Sequence, residues 1–168
     1  IRPQLNCNIC NTGDIHINGQ EGSYTMVLID GLPIVSGLST VYGLSGIPRS
    51  LIDRVEVVKG PASTLYGSEA IGGLINLITR LPENTDTFSL DSFVSGWGEI
   101  NTDIGYKYNL SNNNFGLLGI NYFNYSNPID NNQDGFTDLT VQDRISIFNK
   151  LSFGNNFSLA TRYIYDCL

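Results

Sequence analysis

The stretch IDRVEVVKGPASTLYGSEAIGGLINLITR, residues 52–80, decides the fold of this chain. Within it, Arg54–Val58 alternates charged and apolar side chains, which predicts a half-buried strand that ends at the turn residues Gly60 and Pro61. Small residues and a glycine pair follow, and Gly73–Thr79 is an apolar run of strand length. The stretch therefore predicts a strand, a glycine-rich loop and a second strand.

Two further strands are predicted before this stretch. Asp14–Asn18 alternates polar and apolar residues, and Thr25–Asp30 is an apolar run that ends at the turn pair Asp30 and Gly31. Proline favours the first helical position, which predicts a short helix from Pro48 to Leu51 and a helical turn at 61–65. The first half is expected to be an α+β domain built on a small mixed four-stranded sheet.

The second half is predicted to consist of alternating strands. The pattern is strict in Asp103–Leu110, Arg144–Phe153 and Phe157–Asp166, and looser in Phe88–Gly96 and Phe115–Tyr125. Runs of about ten residues cross a bilayer when they are tilted. The pattern therefore favours antiparallel strands of a transmembrane β-barrel, and a β-sandwich or jelly roll is the soluble alternative.

The connections between these strands point the same way. Short turns are predicted at 111–114 and 154–156, and a long loop at 127–140 lies between them. Short turns on one side of the membrane and longer loops on the other are typical of outer-membrane barrels. Five strands are too few to close a wide barrel, so the remaining strands are expected to lie outside these 168 residues.

Composition sets the domain boundaries and excludes some functions. Only Tyr24, Tyr42 and Tyr66 precede residue 88 among the aromatic residues, which predicts domains at 1–80 and 88–168 and a linker at 81–87. The net charge of −7 argues against nucleic acid as a partner, because binding phosphates requires a cationic face. No apolar run reaches about 18 residues, so no transmembrane helix is predicted.

An ordered series of motifs resembles the plug domain of TonB-dependent outer-membrane receptors. The series is DGLP at 30–33, IP at 47–48, and RVEVVKGPASTLYGSEAIGGLINLIT at 54–79. The resemblance implies that residues 1–80 are the C-terminal part of a plug and that residues 88–168 are about the first five strands of the surrounding barrel. The chain would then be a fragment of the receptor.

The resemblance also implies a function. A receptor of this family is an active transporter in the outer membrane of a Gram-negative bacterium, where it contacts outer-membrane lipid. It binds and imports a scarce nutrient such as an iron complex, another metal chelate, haem or cobalamin. Its energy comes through the partner TonB, which binds a segment expected to precede residue 1. An enzyme is not expected; the alternatives are a secreted or surface β-rich binding module or adhesin, and a redox protein that uses Cys7 and Cys10.

Several residues take expected roles from the family. The loops at 32–47 and 62–68 would form outward-facing plug apices, which makes Tyr42 and Tyr66 candidate substrate contacts, together with Ser39 and Ser68. Packing against the barrel wall is the alternative for both tyrosines.

The strand that contains Arg54, Glu56 and Lys59 matches the charged strand of the plug. In the family, basic side chains of this strand meet acidic residues of the barrel interior. A buried ion pair of this kind fixes register and acts as a latch between plug and barrel. Ordinary surface charge at alternate strand positions is the alternative.

Cys7 and Cys10 form a C-x-x-C pair with three interpretations. A thioredoxin-like redox pair requires a preceding strand and a helix start, and a zinc site would need Cys167 and His16 at a spacing that fits no standard site. A structural disulfide in the oxidising periplasm is the third interpretation. The pair also resembles a Cys-Asn-x-Cys-Asn segment of some plug domains in the family.

Residues 130–138, DNNQDGFTD, match the start of a calcium-binding loop. The oxygen ligands would come from five residues: Asp130, Asn132, Asp134, the carbonyl of Phe136, and Asp138. An EF-hand requires Glu at its twelfth position, where this chain has Val141, so the loop is not an EF-hand. Calcium is thus the one candidate cofactor, and a solvated acidic loop is the alternative.

Overall fold

The chain divides into two compact units in a computed structural model. The first unit comprises Ile1–Ser45 and Ile52–Thr79, and the second comprises Gly46–Leu51 and Arg80–Leu168. The structure describes residues 2–7, 12–20, 22–34, 46–60, 66–67, 70–82, 85–111, 114–133, 135, 137–138, 140–154 and 157–167. Within these ranges, no helix has the length and apolar character needed to cross a membrane.

The first unit contains two small sheets. Strands β1 (Arg2–Cys7) and β2 (Thr12–His16) form an antiparallel pair. A mixed four-stranded sheet follows, in the order β4-β3-β6-β5, with β3 and β6 parallel. Its strands are β3 (Thr25–Ile29), β4 (Leu32–Pro33), β5 (Ile52–Lys59) and β6 (Gly73–Thr79). The predicted small mixed four-stranded sheet is confirmed.

The membership of that sheet differs from the prediction at one strand. The strand predicted at 14–18 ends at His16, because Asn18 and Gly19 both have positive φ and turn the chain. Its partner is β1 rather than the four-stranded sheet. Leu32–Pro33 takes the fourth place, since the Asp30–Gly31 turn returns the chain antiparallel to β3.

The described residues include two 3-10 helices, Gly22–Tyr24 and Arg49–Leu51, and Tyr66 is also helical. The second 3-10 helix lies where a short helix was predicted after Pro48. The helical turn predicted at 61–65 lies outside the described residues.

Strand β6 lies in the middle of the four-stranded sheet and is almost entirely buried. Its Leu74 packs with Met26, Leu28 and Ala70 in a buried apolar cluster. Gly73 opens the strand at φ 142°, and a Cβ there would collide with the carbonyl oxygen of Val58. Glycine is therefore required where β6 begins beside β5.

Side chains reinforce the pairing of strands that are far apart in sequence. The Asp30 carboxylate accepts hydrogen bonds from the Thr79 backbone N–H (2.8 Å) and from the Thr79 hydroxyl (2.7 Å). The Gly31 N–H donates to Asn76 Oδ1 (3.0 Å), and Asn76 Nδ2 donates to Glu56 Oε2 (3.1 Å). These contacts join the turn after β3 to β6, and β6 to β5.

The second unit is a five-stranded antiparallel sheet in the order β11-β10-β9-β8-β7, so each strand pairs with its neighbours in sequence. The five strands agree with the predicted positions to within about three residues. They are β7 (Phe88–Val94), β8 (Ile100–Ser111), β9 (Asn114–Tyr125), β10 (Gln142–Phe153) and β11 (Phe157–Cys167).

The two faces of this sheet differ sharply in polarity. Directly opposed residues of an antiparallel sheet project to the same face. The register therefore defines an apolar face that includes Ile104, Tyr106, Leu118, Ile120, Ile145, Ile147, Tyr163 and Tyr165. It also defines a polar face that includes Asp103, Gly105, Lys107, Leu117, Gly119, Asn121, Arg144, Ser146, Phe148, Lys150 and Arg162.

Replacing Asp30 by Ala should loosen the four-stranded sheet. The change removes both hydrogen bonds to Thr79, and bonds to a charged group contribute about 1.5–3 kcal/mol. It also puts Ala at φ 51°, where a left-handed conformation costs roughly 1–2 kcal/mol. Hydrogen exchange in the full-length protein should show the Thr79 amide losing at least about tenfold of its protection, since 1.4 kcal/mol corresponds to about tenfold.

Asp53→Ala is the matched control, because Asp53 is exposed and its described ion pair is with the exposed Arg54. Exposed pairs contribute about 0.2–1 kcal/mol, so protection at Thr79 should change little. Equal loss of protection in the two variants would contradict the assigned role of Asp30.

Candidate functional site

Of the four predicted substrate contacts, only Tyr66 lies in the described part of the chain. Its side chain is 37% exposed, and the residue lies a short distance along the chain after the end of β5. Ser39, Tyr42 and Ser68 lie outside the described residues. The substrate-binding role of all four stays a prediction.

The segment Gly46–Leu51, here called the docked segment, belongs to the second unit, although the chain on both sides of it belongs to the first. It lies against the polar face of the five-stranded sheet. Gly46 adopts φ 81° and sits so close to Ser146 that a Cβ on Gly46 would overlap the serine side chain. Leu51 and Pro48 are fully buried.

Two glycines of the polar face make room for the docked segment. Gly105 and Gly119 are directly opposed on β8 and β9 and are here called the glycine notch. A Cβ on Gly119 would lie 2.7 Å from Leu51 Cδ1 and 2.8 Å from Pro48 Cδ, and one on Gly105 would lie 2.7 Å from Ser50 Oγ. These separations are below van der Waals contact, so the segment fits only because both positions lack side chains.

A buried polar network lies beside the notch. Asn121 Nδ2 donates to Asp103 Oδ1 (2.7 Å) and to Asn101 Oδ1 (2.8 Å). The Arg49 backbone N–H donates to Asp103 Oδ2 (3.4 Å). Asp103 and Asn121 are each 5% exposed, and a buried carboxylate requires such donors. The network ties the docked segment to β8 and β9.

The basic residues of the sheet share one face. Strands β7–β11 contain four, and all lie on the polar face: Lys107, Arg144, Lys150 and Arg162. The Arg144 guanidinium lies 5.2 Å from the ring centroid of Phe123, within the range of a cation–π contact. Gln142 Nε2 donates to both oxygens of Asp166, at 3.0 and 2.9 Å.

The predicted latch residues lie on β5. Arg54 forms ion pairs with Asp53 and Glu56, both at 2.9 Å. Hydrogen bonding to Asp53, and then the hydrogen bond and charge of Glu56, raise the pKa of the Arg54 guanidinium. Lys59 is exposed at the end of the strand. A latch between these residues and the barrel stays a prediction.

The cysteine pair is only partly described. Cys7 ends β1, whereas Cys10 lies outside the described residues, so the predicted disulfide stays a prediction. Cys167 is an exposed free thiol in β11.

The predicted calcium loop is closed by its own carboxylates. Asp130 accepts from the backbone N–H groups of Gln133 (2.7 Å) and Gly135 (3.0 Å). Asp138 Oδ2 accepts from the N–H (3.0 Å) and the side-chain amide (2.8 Å) of Asn131. Across the part of the chain that the structure describes, no group of three or more His, Cys, Asp or Glu residues could hold a metal.

Of the other predicted ligands, Asn132 is described and exposed, whereas Asp134 and Phe136 lie outside the described residues. The occupied calcium site therefore stays a prediction.

The sequence interpretation missed the docked segment and its notch. A glycine inside a strand is a recognised sign of a bulge or of close approach by another backbone. Gly105 and Gly119 fall on the same face of two adjacent predicted strands, so this pattern was visible before the structure. The identity of the approaching segment was not, because it lies roughly 55 to 70 residues away in sequence.

A small mixed sheet followed by a sequential antiparallel sheet with one apolar and one polar face is the fold of a plug domain joined to barrel strands. Residues 6–74 match the TonB-dependent Receptor Plug Domain family. Residues 6–74 are thus similar to the plug domain of TonB-dependent receptors.

Solved structures of such receptors have the same fold. The chain matches the ferric yersiniabactin uptake receptor FyuA from Yersinia pestis with a TM-score of 0.69 and 20% identity, over 93% of this chain and 25% of that one. It matches the ferric-catecholate import receptor Fiu from E. coli K12 with a TM-score of 0.63 and 18% identity, over 98% and 23%. It matches the siderophore receptor PirA from Acinetobacter baumannii with a TM-score of 0.64 and 21% identity, over 99% and 28%. The chain thus spans about a quarter of the length of these receptors.

Calcium should bind the 130–138 loop at concentrations found outside cells. Extracellular modules bind calcium with a Kd of about 10⁻⁴–10⁻³ M, and titration over that range should slow hydrogen exchange in the loop. Asp130→Asn should weaken the response at least severalfold, because it removes a charged ligand. Glu99→Gln, which removes one charge from a different turn, should not. An unchanged exchange rate at millimolar calcium would refute the site.

Proposed function

We propose that the full-length receptor imports an iron–siderophore complex across the outer membrane of a Gram-negative bacterium, with energy delivered through TonB. One observation carries the proposal: a plug domain is joined in a single chain to strands whose apolar face is exposed and whose polar face is largely buried. The named siderophore receptors with the same fold favour an iron chelate over haem or cobalamin as the substrate.

The apolar face has the properties of a lipid contact. Tyr106, Ile145 and Ile147 are 44%, 40% and 37% exposed, so the rest of the described chain does not shield them. Aliphatic residues occupy the middle of this face on four of the five strands, in a row of directly opposed positions that Tyr163 completes on β11: Leu90, Ile104, Ile120 and Ile147. Tyrosines and phenylalanines lie towards both ends, including Tyr106 and Tyr108 at one and Tyr122 and Tyr165 at the other. Aromatic girdles around an apolar band are typical of outer-membrane barrels.

The polar face suits the interior of such a barrel. It carries all four basic residues of these strands as well as Asp103 and Asp166. Charged side chains are expensive in hydrocarbon, but a barrel interior is polar and often contains water or a plug. The alternation of apolar and polar residues therefore suits lipid on one face of the sheet and the polar barrel interior on the other.

The proposed transport makes or breaks no covalent bond in the substrate. An iron chelate binds the outward-facing plug loops, where Tyr66, Tyr42, Ser39 and Ser68 are the expected contacts. TonB then acts on a segment of the plug, and the plug rearranges to let the chelate pass. The function proposed is accordingly that of a transporter and not of an enzyme.

Import should be tested in a bacterial strain that lacks its own siderophore receptors. Cells that produce the full-length receptor should accumulate radioactive iron from at least one ferric siderophore, and accumulation should stop when TonB is deleted. Haem and cobalamin are offered in parallel arms. Uptake of haem or cobalamin alone would replace the proposed substrate, and no TonB-dependent uptake of any of these compounds would refute import.

The membrane orientation of the sheet is tested by one substitution made on each face. Ile147→Lys puts a charge on the apolar face, and a charge at the middle of a lipid-facing barrel surface costs about 2–4 kcal/mol. Ile164→Lys makes the same change on the polar face, at nearly the same level of the sheet. We expect the folded fraction in the outer membrane, measured by heat-modifiable electrophoretic mobility, to fall far more for Ile147→Lys. Equal loss in the two variants would contradict the assignment of the faces.

A further inference from the structure

We propose that the glycine notch is a fixed attachment point: the docked segment Gly46–Leu51 stays seated against Gly105 and Gly119 while the receptor transports its substrate. The inference rests on the proposed import function. It identifies a part of the chain that stays in place during the transport cycle, which the fold alone does not determine.

The first argument is the way in which the chain is partitioned. Ser45 and Ile52 belong to the first unit, and the six residues between them belong to the second. The chain therefore leaves the plug unit, binds the five-stranded sheet and returns to the plug unit as β5. Such a short excursion persists only if the sheet holds the segment firmly enough to offset the entropy of ordering it.

The second argument is the quality of the contact. Leu51 and Pro48 are fully buried over Gly119, and the Ser50 hydroxyl is buried over Gly105. Exposing buried apolar side chains to water is unfavourable, and closely fitting contacts lose their packing energy as soon as a gap opens. Leaving the notch is therefore an all-or-none event rather than a gradual slide.

The third argument is that part of the backbone of the segment is also hydrogen-bonded. The Leu51 N–H donates to the Pro48 carbonyl (2.9 Å), and the Leu51 carbonyl accepts from the Arg80 N–H (2.8 Å). The Arg49 N–H donates to Asp103. Departure from the notch would break the bond to Asp103 and leave that carboxylate with fewer donors, which is costly for a buried charge.

A reversible cross-link tests the inference directly. In the full-length receptor, Leu51→Cys and Gly119→Cys are combined with Pro48→Ala. Leu51 Cδ1 and Pro48 Cδ lie 2.7 and 2.8 Å from the position of a Cβ at 119, so shortening both side chains makes room for the new thiol. We expect the disulfide to form in cells, and ferric siderophore uptake in the oxidised state to stay within twofold of uptake after reduction. The oxidised and reduced states of one variant are each other's control.

Two outcomes would overturn the proposal. Failure of the pair to form a disulfide would show that the segment is not seated, and uptake that stops on oxidation and returns on reduction would show that it must leave. Ser50→Cys with Gly105→Cys is the second pair, for use if the first does not fold, because Ser50 Oγ lies 2.7 Å from a Cβ at 105. Ser89→Ala is added, since the Ser89 hydroxyl would overlap that Cβ.

A labelling experiment tests the same proposal without a substrate. The single variants Ser50→Cys and Arg49→Cys are made in a Cys167→Ser background, because Cys167 is itself an exposed free thiol, and are treated with a membrane-impermeant maleimide in cells with and without TonB. Arg49 is exposed and Ser50 Oγ is buried, so position 49 should react quickly and position 50 at least tenfold more slowly in both strains. TonB-dependent labelling of position 50 at the rate of position 49 would overturn the inference, whereas absence of uptake by the unmodified receptor counts against the import function alone.

Discussion

The register of β7–β11, regular apart from a shift between Asn109 and Ser111 where β8 ends, is the constraint on which the rest of the second unit depends. Side chains alternate between faces with a period of two, so a slip of one residue in any strand would move its apolar side chains to the polar face. Rows of directly opposed residues run across the sheet, such as Ile104, Ile120, Ile147 and Tyr163 on one face and Lys107, Leu117 and Lys150 on the other. A slip would move apolar side chains to the polar face and charged side chains to the apolar face together, which strongly specifies a single pairing.

The glycines of β8 and β9 modify this sheet without disturbing its register. At Gly105 and Gly119 no side chain covers the backbone of the polar face, so the docked segment packs directly against the strands. On the apolar face, the Tyr108 ring covers Gly116 and its hydroxyl donates to Asn149 Oδ1 on β10 (3.0 Å). On the polar face, the missing side chains of Gly105 and Gly119 thus allow the docked segment to bind. On the apolar face, the missing side chain of Gly116 lets the Tyr108 ring bridge three strands.

Most of the fold was predictable, because its determinants are local. The presence of each strand and the face of each side chain follow from the period-two pattern, and the strands predicted at 88–96, 103–110, 115–125, 144–153 and 157–166 are all present. It was harder to predict that Leu32–Pro33, and not residues 14–18, supplies the fourth strand of the four-stranded sheet. Alternation at 14–18 says that a strand forms but not which partner it takes, and a two-residue strand such as β4 has no detectable period.

The candidate site was less predictable, because its contacts join residues far apart in sequence. The resemblance to plug domains supplied residue roles at 39–68 but no contact with the sheet. The docking of Gly46–Leu51 depends on the fit among Pro48, Leu51 and Gly119, which no local pattern encodes. The two glycines indicated that another segment approaches the strands closely. Only the fold shows that this segment is Gly46–Leu51.

The same reasoning explains the polar residues of β6, the apolar centre of the plug sheet. A strand buried on both faces needs no polar side chain for burial, yet Asn76 and Thr79 interrupt the run Gly73–Thr79. Asn76 bridges Gly31 and Glu56, and Thr79 holds Asp30, so each connects strands on opposite sides of β6 or closes the turn after β3. Strand β3 pairs in parallel with a strand nearly fifty residues later, and such long-range pairing incurs the entropy of closing a long loop. Polar side chains that bond the turn directly to β6 offset part of that entropy, which gives the Asp-Gly turn and the Asn-x-x-Thr ending of β6 a common physical cause.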